Sequence, residues 1–566
     1  MSSLGHQLAT SVLVVGAGGS GLRAAIEVAE AGVAVVAVAR RMPEHAAAAG
    51  GSAAPVTRHS SWPGALPPAC SHREGAWQHH AARTLREGRL LADPGAAQTV
   101  ARHTERAFQD MERFGTGHDR EGHGGPDLHR ALRTRAAELG VPVLTGVCVT
   151  RLLVDDGTVF GAYGFDLADG SRYLVHADAV ILAAGGHTRI WRHTSARRDE
   201  SGGDAFRLAV EAGARLRDPE LVQFDPLGLV GPEHTAGLPV DEAARAAGGV
   251  LLNNLGERFM ARYDAQRMER GSRDRVAAAA YTEIKEGRGT QAGGVWLDLS
   301  PLSRETVLTR LSGVRRTPLD VRTRDLTRDP VEVAPTARYS LGGVRVRPED
   351  QSSDVDGLYV VGEAAGGLHG ASRLEENTLV ELLVHGRIAG RAAAEYSARL
   401  TVQHRSPGAV RAAETDTARL LAADGEQNVR GLLRSVRHLM TEHAGAVRDE
   451  AGLDAGLAGL DEIDARAADA GVHVDIGGFQ DLAHAYDLRS ALLAARATLE
   501  CAKQRRETRG SHHRSDHPDV DPGLTVTLVW SPATGVRREA LPPTPTHLAE
   551  LMRDVPSDTA SPDRDL

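Results

Sequence analysis

Apolar residues fall into two patterns along this chain. Short unbroken runs rich in β-branched residues occur at 11–16 (SVLVVG), 33–39 (VAVVAVA), 179–183 (AVILA) and 357–362 (GLYVVG). Runs of this kind, bounded by glycine, predict strands of a parallel sheet buried on both faces. Leu22 to Gly32 lies between the first two and reads as a helix, so the chain opens with a βαβ unit. A second pattern predicts helices over 95–114, 127–139 and most of 407–505, where apolar positions recur three and four apart. Alternation over 141–181 predicts strands, as does the stretch Thr525–Trp530. A further helix is expected to begin near Asn377. Residues 43–75 and 116–126 read as irregular, and 221–345 as an inserted domain of weaker periodicity. The last residues, PSDTASPDRDL, are expected to be disordered. No internal repeat is found.

The first strand runs into Gly16-Ala-Gly18-Gly19-Ser-Gly21, and a helix follows. In a strand–turn–helix setting each glycine has a physical task. Gly16 permits the tight turn, Gly18 lets backbone approach a diphosphate, and Gly21 lets the helix pack on the strand. The diphosphate of a dinucleotide then sits on the helix N-terminus, where free N–H groups favour negative charge. The second strand ends Ala39-Arg40-Arg41, without the acidic residue often placed on a ribose hydroxyl, so that contact must come from elsewhere. Two later segments select FAD over NAD. Ala183-Ala184-Gly185-Gly186 ends a strand in mid-chain, and Gly357-Leu-Tyr-Val-Val-Gly362-Glu363 ends another. A strand running into Gly-Glu late in the chain resembles the second FAD signature of large flavoproteins, in which the acidic side chain holds ribityl hydroxyls.

Composition narrows the class without changing it. The 566 residues are too many for one core. A net charge of −9, with no basic tract interleaved with aromatics, argues against nucleic acid as a partner. Lys285 and Lys503 are the only lysines among 66 basic residues, a sign of compositional bias towards Arg. Cys70, Cys148 and Cys501 are too few and too scattered for an iron–sulfur cluster or a disulfide framework, and no metal site is expected. A reducing compartment fits that usage. No signal peptide and no apolar run of about 18 residues is read, so the expected location is cytoplasmic, or peripheral on the cytoplasmic face of a membrane.

Further motifs follow in order. Val222-Gln223-Phe224-Asp225-Pro226-Leu227-Gly228 resembles VQFHPTG of succinate dehydrogenase and fumarate reductase flavoproteins. Asp241-Glu242-Ala-Ala-Arg245-Ala-Ala-Gly-Gly is similar to TEGVRGEGG, Gly256–Met260 to GxRFM, and Ser272-Arg273-Asp274 to SRD. Pro335–Gly343 resembles PTxHYxMGG, His369–Leu379 resembles HGANRLGGNSL, and Glu507–Asp516 resembles ESRGAHYRxD. The set spans residues 11 to about 545. The chain is thus identified as a divergent member of that flavoprotein family, with L-aspartate oxidases as relatives.

The resemblance implies an α/β fold: a Rossmann-like FAD-binding domain with an inserted α+β capping domain and a C-terminal helical domain. The expected divisions are 1–228 and 345–400 for FAD binding, 229–344 for the cap, 401–505 for the helical domain, and 506–566 for a tail with a small β segment. It implies hydride transfer between flavin N5 and a CH–CH bond beside a carboxylate. Arg273 would exchange the proton, with Glu242 and Arg245 as a relay. An arginine can do this only if the proton is replaced at once, since its free pKa exceeds about 12. Arg373 would clamp a substrate carboxylate. Residues matched to the cofactor are Gly16, Gly18, Gly19, Gly21, Gly50, Gly51, Ala184, Gly185, Asp204, Glu363, Asn377, Thr378 and Leu379. The implied electron partners are a quinone-linked membrane anchor and, between it and this chain, an iron–sulfur protein.

The departures from the family pattern gather at the substrate. Asp225 and Arg338 stand where the family has histidines, and Asp241 replaces a Thr. Glu375-Glu376-Asn377 replaces GGN and adds two carboxylates near the flavin edge. Asp225 and Asp241 are expected to repel a second substrate carboxylate, and Arg338 to attract one. That favours a monocarboxylate, or a substrate with an amino group facing the Asp pair. The family histidine that links flavin covalently falls on Glu44, with His45 one place off, so covalent attachment is not expected. Only Gly122-His123-Gly124-Gly125 matches the segment before the helix at 127. An L-aspartate oxidase-like enzyme and a catalytically degenerate FAD-binding paralogue are the alternative readings.

Overall fold

The structure is a computed structural model and describes residues 5–41, 75–114, 124–233, 235–240, 242–309, 328–475 and 477–554. The apolar runs at both ends of the expected FAD-binding region meet in one sheet. Its order is Val143–Thr145, Val35–Ala39, His6–Val15, Arg172–Leu182, Thr158–Asp166, Val147–Asp155. The first strand lies parallel to Val35–Ala39 and to Arg172–Leu182. Strand Arg172–Leu182 is long enough to use one edge twice. Its first half pairs antiparallel with Thr158–Asp166, and its second half parallel with Leu358–Val360. Val12, Leu13 and Val14 are fully buried, as strands covered on both faces require.

Helix Gly19–Glu30 covers one face of this sheet and packs on helix Asn377–Arg399. Small residues let these helices approach closely. A Cβ on Gly386 would lie 2.7 Å from the Ser20 carbonyl oxygen, and one on Gly390 2.6 Å from that of Ala24. The inserted region forms a second sheet, ordered Val222–Leu229, Val331–Ser340, Val295–Asp298, Val250–Leu252. Helix Arg273–Lys285 packs on it, with Val276, Ala279 and Ala280 in the shared core. The two longest strands of this sheet carry Gln223, Asp225, Arg338 and Tyr339.

Four helices, Pro407–Leu421, Val429–His443, Glu450–Ala467 and Gln480–Gln504, make up the expected helical region. The strand expected at Thr525–Trp530 is Val526–Ser531, and it pairs with a second, Gly535–Ala540. That partner was not legible in the pattern. GVRREA is an exposed edge strand with no buried face to set an alternation. The pair also reaches Leu216–Arg217, so the tail is stitched into the main body. The segment expected to be disordered, and most of 43–75 and 116–126, lie outside the described residues.

Arg505, at the end of the last long helix, anchors this stitching. It is fully buried and donates to Glu220 at 2.7 Å, to Asp218 at 3.0 Å and to Glu507 at 3.4 Å. The three carboxylates come from two distant stretches of chain, so one guanidinium ties them together. Replacing it with an apolar residue breaks the buried pair with Glu220, which costs about 3–5 kcal/mol, while Glu507 keeps Arg509 and Asp218 keeps Arg217. Arg505→Leu is therefore expected to lower the thermal unfolding midpoint clearly. Differential scanning calorimetry checks this, and an unchanged midpoint would contradict the role.

Candidate active site

The three parallel strands ending at Val15, Leu182 and Val360 stop side by side. A cavity of about 440 Å³ opens beyond their ends, where ligands bind in open α/β sheets. The Gly16–Ser20 turn, Ala183–Gly185, Gly362 and Glu363 line it, and Tyr339, Thr378 and Leu382 lie at its wall. Gly16 has φ +113°, and a Cβ there would sit 2.2 Å from the Ala183 carbonyl oxygen. A Cβ on Gly21 would sit 1.9 Å from the Gly16 carbonyl oxygen, so the helix rests directly on the turn. Gly18 is different: a Cβ there meets nothing within 4 Å. It is the N-cap of helix Gly19–Glu30, has no side chain to cap it, and no acidic residue follows in the first turn. Free N–H groups therefore face the cavity, as a diphosphate requires.

The residues around the cavity fit FAD in two further ways. Glu363 accepts from the Ser340 N–H at 3.0 Å and from the Ser201 hydroxyl at 3.2 Å. Burial pushes its carboxyl up to about 7, so it is a polar group in need of further donors, which ribityl hydroxyls supply. Arg40, in place of an acidic residue after the second strand, pairs with Asp487 at 2.5 Å and with Asp204 at 3.5 Å. Asp204 also lines the cavity, so an acidic residue stands there although the strand end has none.

At the Tyr339 and Thr378 end the cavity adjoins a cluster of four guanidiniums. Arg373 donates from Nε to Gln223 Oε1 at 2.9 Å, hydrogen-bonds the Thr378 hydroxyl, and stands 4.6 Å above the Tyr339 ring. Tyr339 is held in turn by Glu381, to which it donates at 2.7 Å and which also contacts His369 Nε2 at 3.0 Å. Arg273 is the first residue of its helix. Its Nε donates to Glu242 at 2.7 Å, its Nη2 donates to Glu375, and Asp225 lies 3.4 Å from Nε. Arg245 approaches Glu242 at 3.4 Å and donates to the carbonyls of Glu269 and Gly271. Arg338 pairs with Asp225. The pairing of its strand with Val222–Leu229 skips Arg338 between Ala337 and Tyr339, so it is the extra residue of a β-bulge, which re-aims its side chain.

These contacts set the charge states. Burial opposes ionisation of Glu242, but Arg273, and then Arg245 and Arg338, outweigh it and hold the carboxyl at about 2. Arg273 is driven well above the usual arginine range, because Glu242, Glu375 and Asp225 outweigh its burial. Glu375 is lowered, chiefly by Arg273. Arg373 moves the other way: burial, then Arg338 and Arg273, lower it.

The structure therefore brings together Arg273, Glu242, Arg245, Arg338, Asp225 and Arg373. It also brings Gly16, Gly18, Gly19, Ala184, Gly185, Asp204, Glu363 and Thr378 around one cavity. Asn377 and Leu379 do not line that cavity. Asn377 is buried against His80 and Thr84, at 2.7 and 3.0 Å, and Leu379 is in the core. Arg338, expected to attract a substrate carboxylate, is spent on Asp225, because its bulge points it there. Glu376, expected near the flavin edge, pairs with Arg83 at 3.1 Å. Asp241, Gly50, Gly51, Glu44, His45 and Cys70 lie outside the described residues. Gln223, Tyr339, Ser201 and Ser340 carry no role readable from sequence, although Gln223, Tyr339 and Ser340 stand inside the quoted motifs. Among the described residues no group of His, Cys, Asp or Glu could hold a metal ion, and no helix is long and apolar enough to cross a membrane.

A glycine turn under a helix end, a late strand ending in Gly-Glu and an arginine–carboxylate cluster define an FAD-binding oxidoreductase site. Comparison with known proteins agrees. The FAD binding domain model matches residues 11–133 and 116–379, and that of the fumarate reductase flavoprotein C-terminus matches 433–551. One subunit of the CoM/CoB fumarate reductase of Methanothermobacter marburgensis is 34% identical over 545 residues, covering 90% of this chain and 95% of that protein. The fumarate reductase flavoprotein subunit of Mycobacterium tuberculosis is 33% identical, covering 93% and 96%. Among solved structures, Mycobacterium smegmatis Sdh1 in complex with UQ1 superposes with a TM-score of 0.85 at 29% identity, covering 96% of each chain. The chain belongs to the succinate dehydrogenase/fumarate reductase flavoprotein family.

The cavity geometry makes two outcomes testable. Gly16→Ala forces a side chain into backbone at a positive φ and should destabilise the apoprotein, whereas Gly18→Val should leave its melting unchanged and lower the FAD retained. Melting curves and the flavin-to-protein absorbance ratio check both; equal melting losses would refute the contrast. Glu363 gives a pH test. Its folded pKa is raised, so its stabilising contribution is complete below about 4.5 and is lost as pH rises through about 7. Gln mimics the protonated form. Glu363→Gln apoprotein should match wild type near pH 4 and exceed it near pH 8 by up to about 3 kcal/mol. Chemical denaturation at the two pH values measures the difference.

Proposed function

We propose that this chain oxidises or reduces a carbon–carbon bond beside a carboxylate, with Arg273 exchanging the proton. When bound, FAD supplies hydride acceptance or donation at N5. Making the double bond removes a hydride from one carbon and a proton from its neighbour; making the single bond returns both. The chain's own residues have to hold the carboxylate and handle that proton. We assign the carboxylate to Arg373, whose planar fork suits bidentate contact.

The observation that carries the reading is the double grip on Arg273 by Glu242 and Glu375. At rest both partners are ionised: Glu242 is held near 2, and the arginine is driven upwards. Such an arginine gives up a proton only if another arrives in the same event. Glu242 and Arg245 are the residues able to pass it on, and Glu242 is about one-third exposed. A positioned acid–base group of this kind contributes about 10²–10⁴-fold to rate. We further propose that electrons are exchanged with an iron–sulfur protein on a quinone-linked membrane anchor. The support is that relatives are named as subunits, among them one of an 8-methylmenaquinol:fumarate reductase of Wolinella succinogenes that is 32% identical.

The test is anaerobic. Oxidised holoprotein is mixed with saturated mono- and dicarboxylates, and reduced holoprotein with their unsaturated counterparts, while flavin absorbance is followed. Wild type should bleach or recover with at least one pair. Arg273→Gln should keep its FAD and lose about 10²-fold or more of that rate. If no carboxylate changes the flavin's redox state, the reading fails.

A further inference from the structure

The charges around the substrate end do not match a dianion. Arg273 is engaged by Glu242 and Glu375, with Asp225 beside it, and Arg338 is engaged by Asp225. Arg245 reaches Glu242 and two backbone carbonyls. Four guanidiniums thus face three carboxylates, which leaves one positive charge among the described residues of the cluster. That charge has an address. Arg373 is 4% exposed, and its described partners are Gln223, Thr378 and the Tyr339 ring, none of them an anion. A buried cation without an anion is costly, and an incoming carboxylate would relieve it.

A second substrate carboxylate has no comparable place. To reach Arg273 it must displace Glu375 from Nη2; to reach Arg338 it must displace Asp225. If neither moves, it enters the field of three side-chain carboxylates. Glu375 is the more displaceable of the two, since its side chain is 42% exposed while that of Asp225 is 4% exposed. Ionised by its contact with Arg273, Glu375 holds the place that the second anion would take.

We propose that this site accepts substrates bearing a single carboxylate, bound on Arg373, because Glu375 and Asp225 already occupy the guanidinium positions a second substrate carboxylate would need. The inference rests on reading the Arg273–Arg373 cluster as the substrate site, and it makes Glu375 a specificity-determining residue. The substrate class is a saturated or 2-unsaturated monocarboxylic acid.

Binding separates this claim from the catalytic one. Butyrate and succinate are titrated into oxidised holoprotein, and the flavin difference spectrum gives each Kd without turnover. Butyrate should bind about tenfold or more tightly than succinate. Glu375→Gln, which keeps the side chain and removes its charge, and Glu375→Gly, which removes both, should tighten succinate about tenfold more than they tighten butyrate. Arg373→Met should weaken butyrate by more than about tenfold. Succinate binding as well as butyrate to the wild type, an unchanged ratio in both Glu375 variants, or no spectral response to either acid would each overturn the proposal. Butyrate binding with no flavin reduction by butyrate, and no reoxidation by crotonate, would uphold the proposal and sink only the hydride reading.

Discussion

Everything at the cofactor end depends on three strands that stop at one level. Val15 lies opposite Leu182, and Leu182 opposite Val360, so three parallel strands end in a row. Their next residues must turn away in a crowded space. The chain solves this with Gly16 at positive φ, with Ala183–Gly185, and with Gly362 leading into Glu363. Because the strands are parallel, all their C-terminal ends and the N-terminus of the following helix face the same crevice. Unpaired N–H groups and one buried carboxylate collect there as a consequence of sheet topology, and a flavin dinucleotide is the ligand that uses both.

The substrate end is positioned by a different device. Strands Val222–Leu229 and Val331–Ser340 are antiparallel, yet their pairing slips twice, between Ala334 and Thr336 and between Ala337 and Tyr339. Without the second slip, Arg338 and Tyr339 would alternate between faces in the ordinary way. The bulge lets Arg338 meet Asp225 while Tyr339 turns to Glu381 and carries Arg373 on its ring. One irregularity in a sheet therefore decides which arginine is neutralised and which is left for a ligand.

This explains which parts were legible in the sequence. The buried strands were, since parallel strands covered on both faces must be apolar throughout, and glycine is the only residue that fits at position 16. The order of motifs also gave Arg273, Glu242, Arg245 and Arg373 as one site. The pairing within that site was not legible. Nothing in the run Ala337-Arg338-Tyr339 signals a bulge, so the pairing of Arg338 with Asp225 could not be read there. Asn377 illustrates a second limit. Its place in a motif suggested cofactor contact and gave no sign that its side-chain amide bonds His80 and Thr84, residues about 300 positions away. The edge strand Gly535–Ala540 escaped because a strand with no buried face leaves no alternation to read.

The buried arginines also show what distinguishes a structural cation from one that awaits a ligand. Arg505 is fully buried and saturated: three carboxylates and the carbonyls of Leu524 and Val526 accept from it. Arg448 is nearly as buried and reaches no carboxylate; it donates to the carbonyls of Glu220 and Gly445 and contacts His512, its Nη2 is buried without a hydrogen-bond partner, and burial brings it down to about 10. Arg373 has neither solution. It has one amide oxygen, one hydroxyl and the face of a ring, with the like charges of Arg338 and Arg273 close enough to lower it further. A guanidinium held that way would gain from an incoming anion. Among the described residues the three neighbouring carboxylates are already paired with other arginines, so an anion arriving with a ligand would find Arg373 the least neutralised of the four.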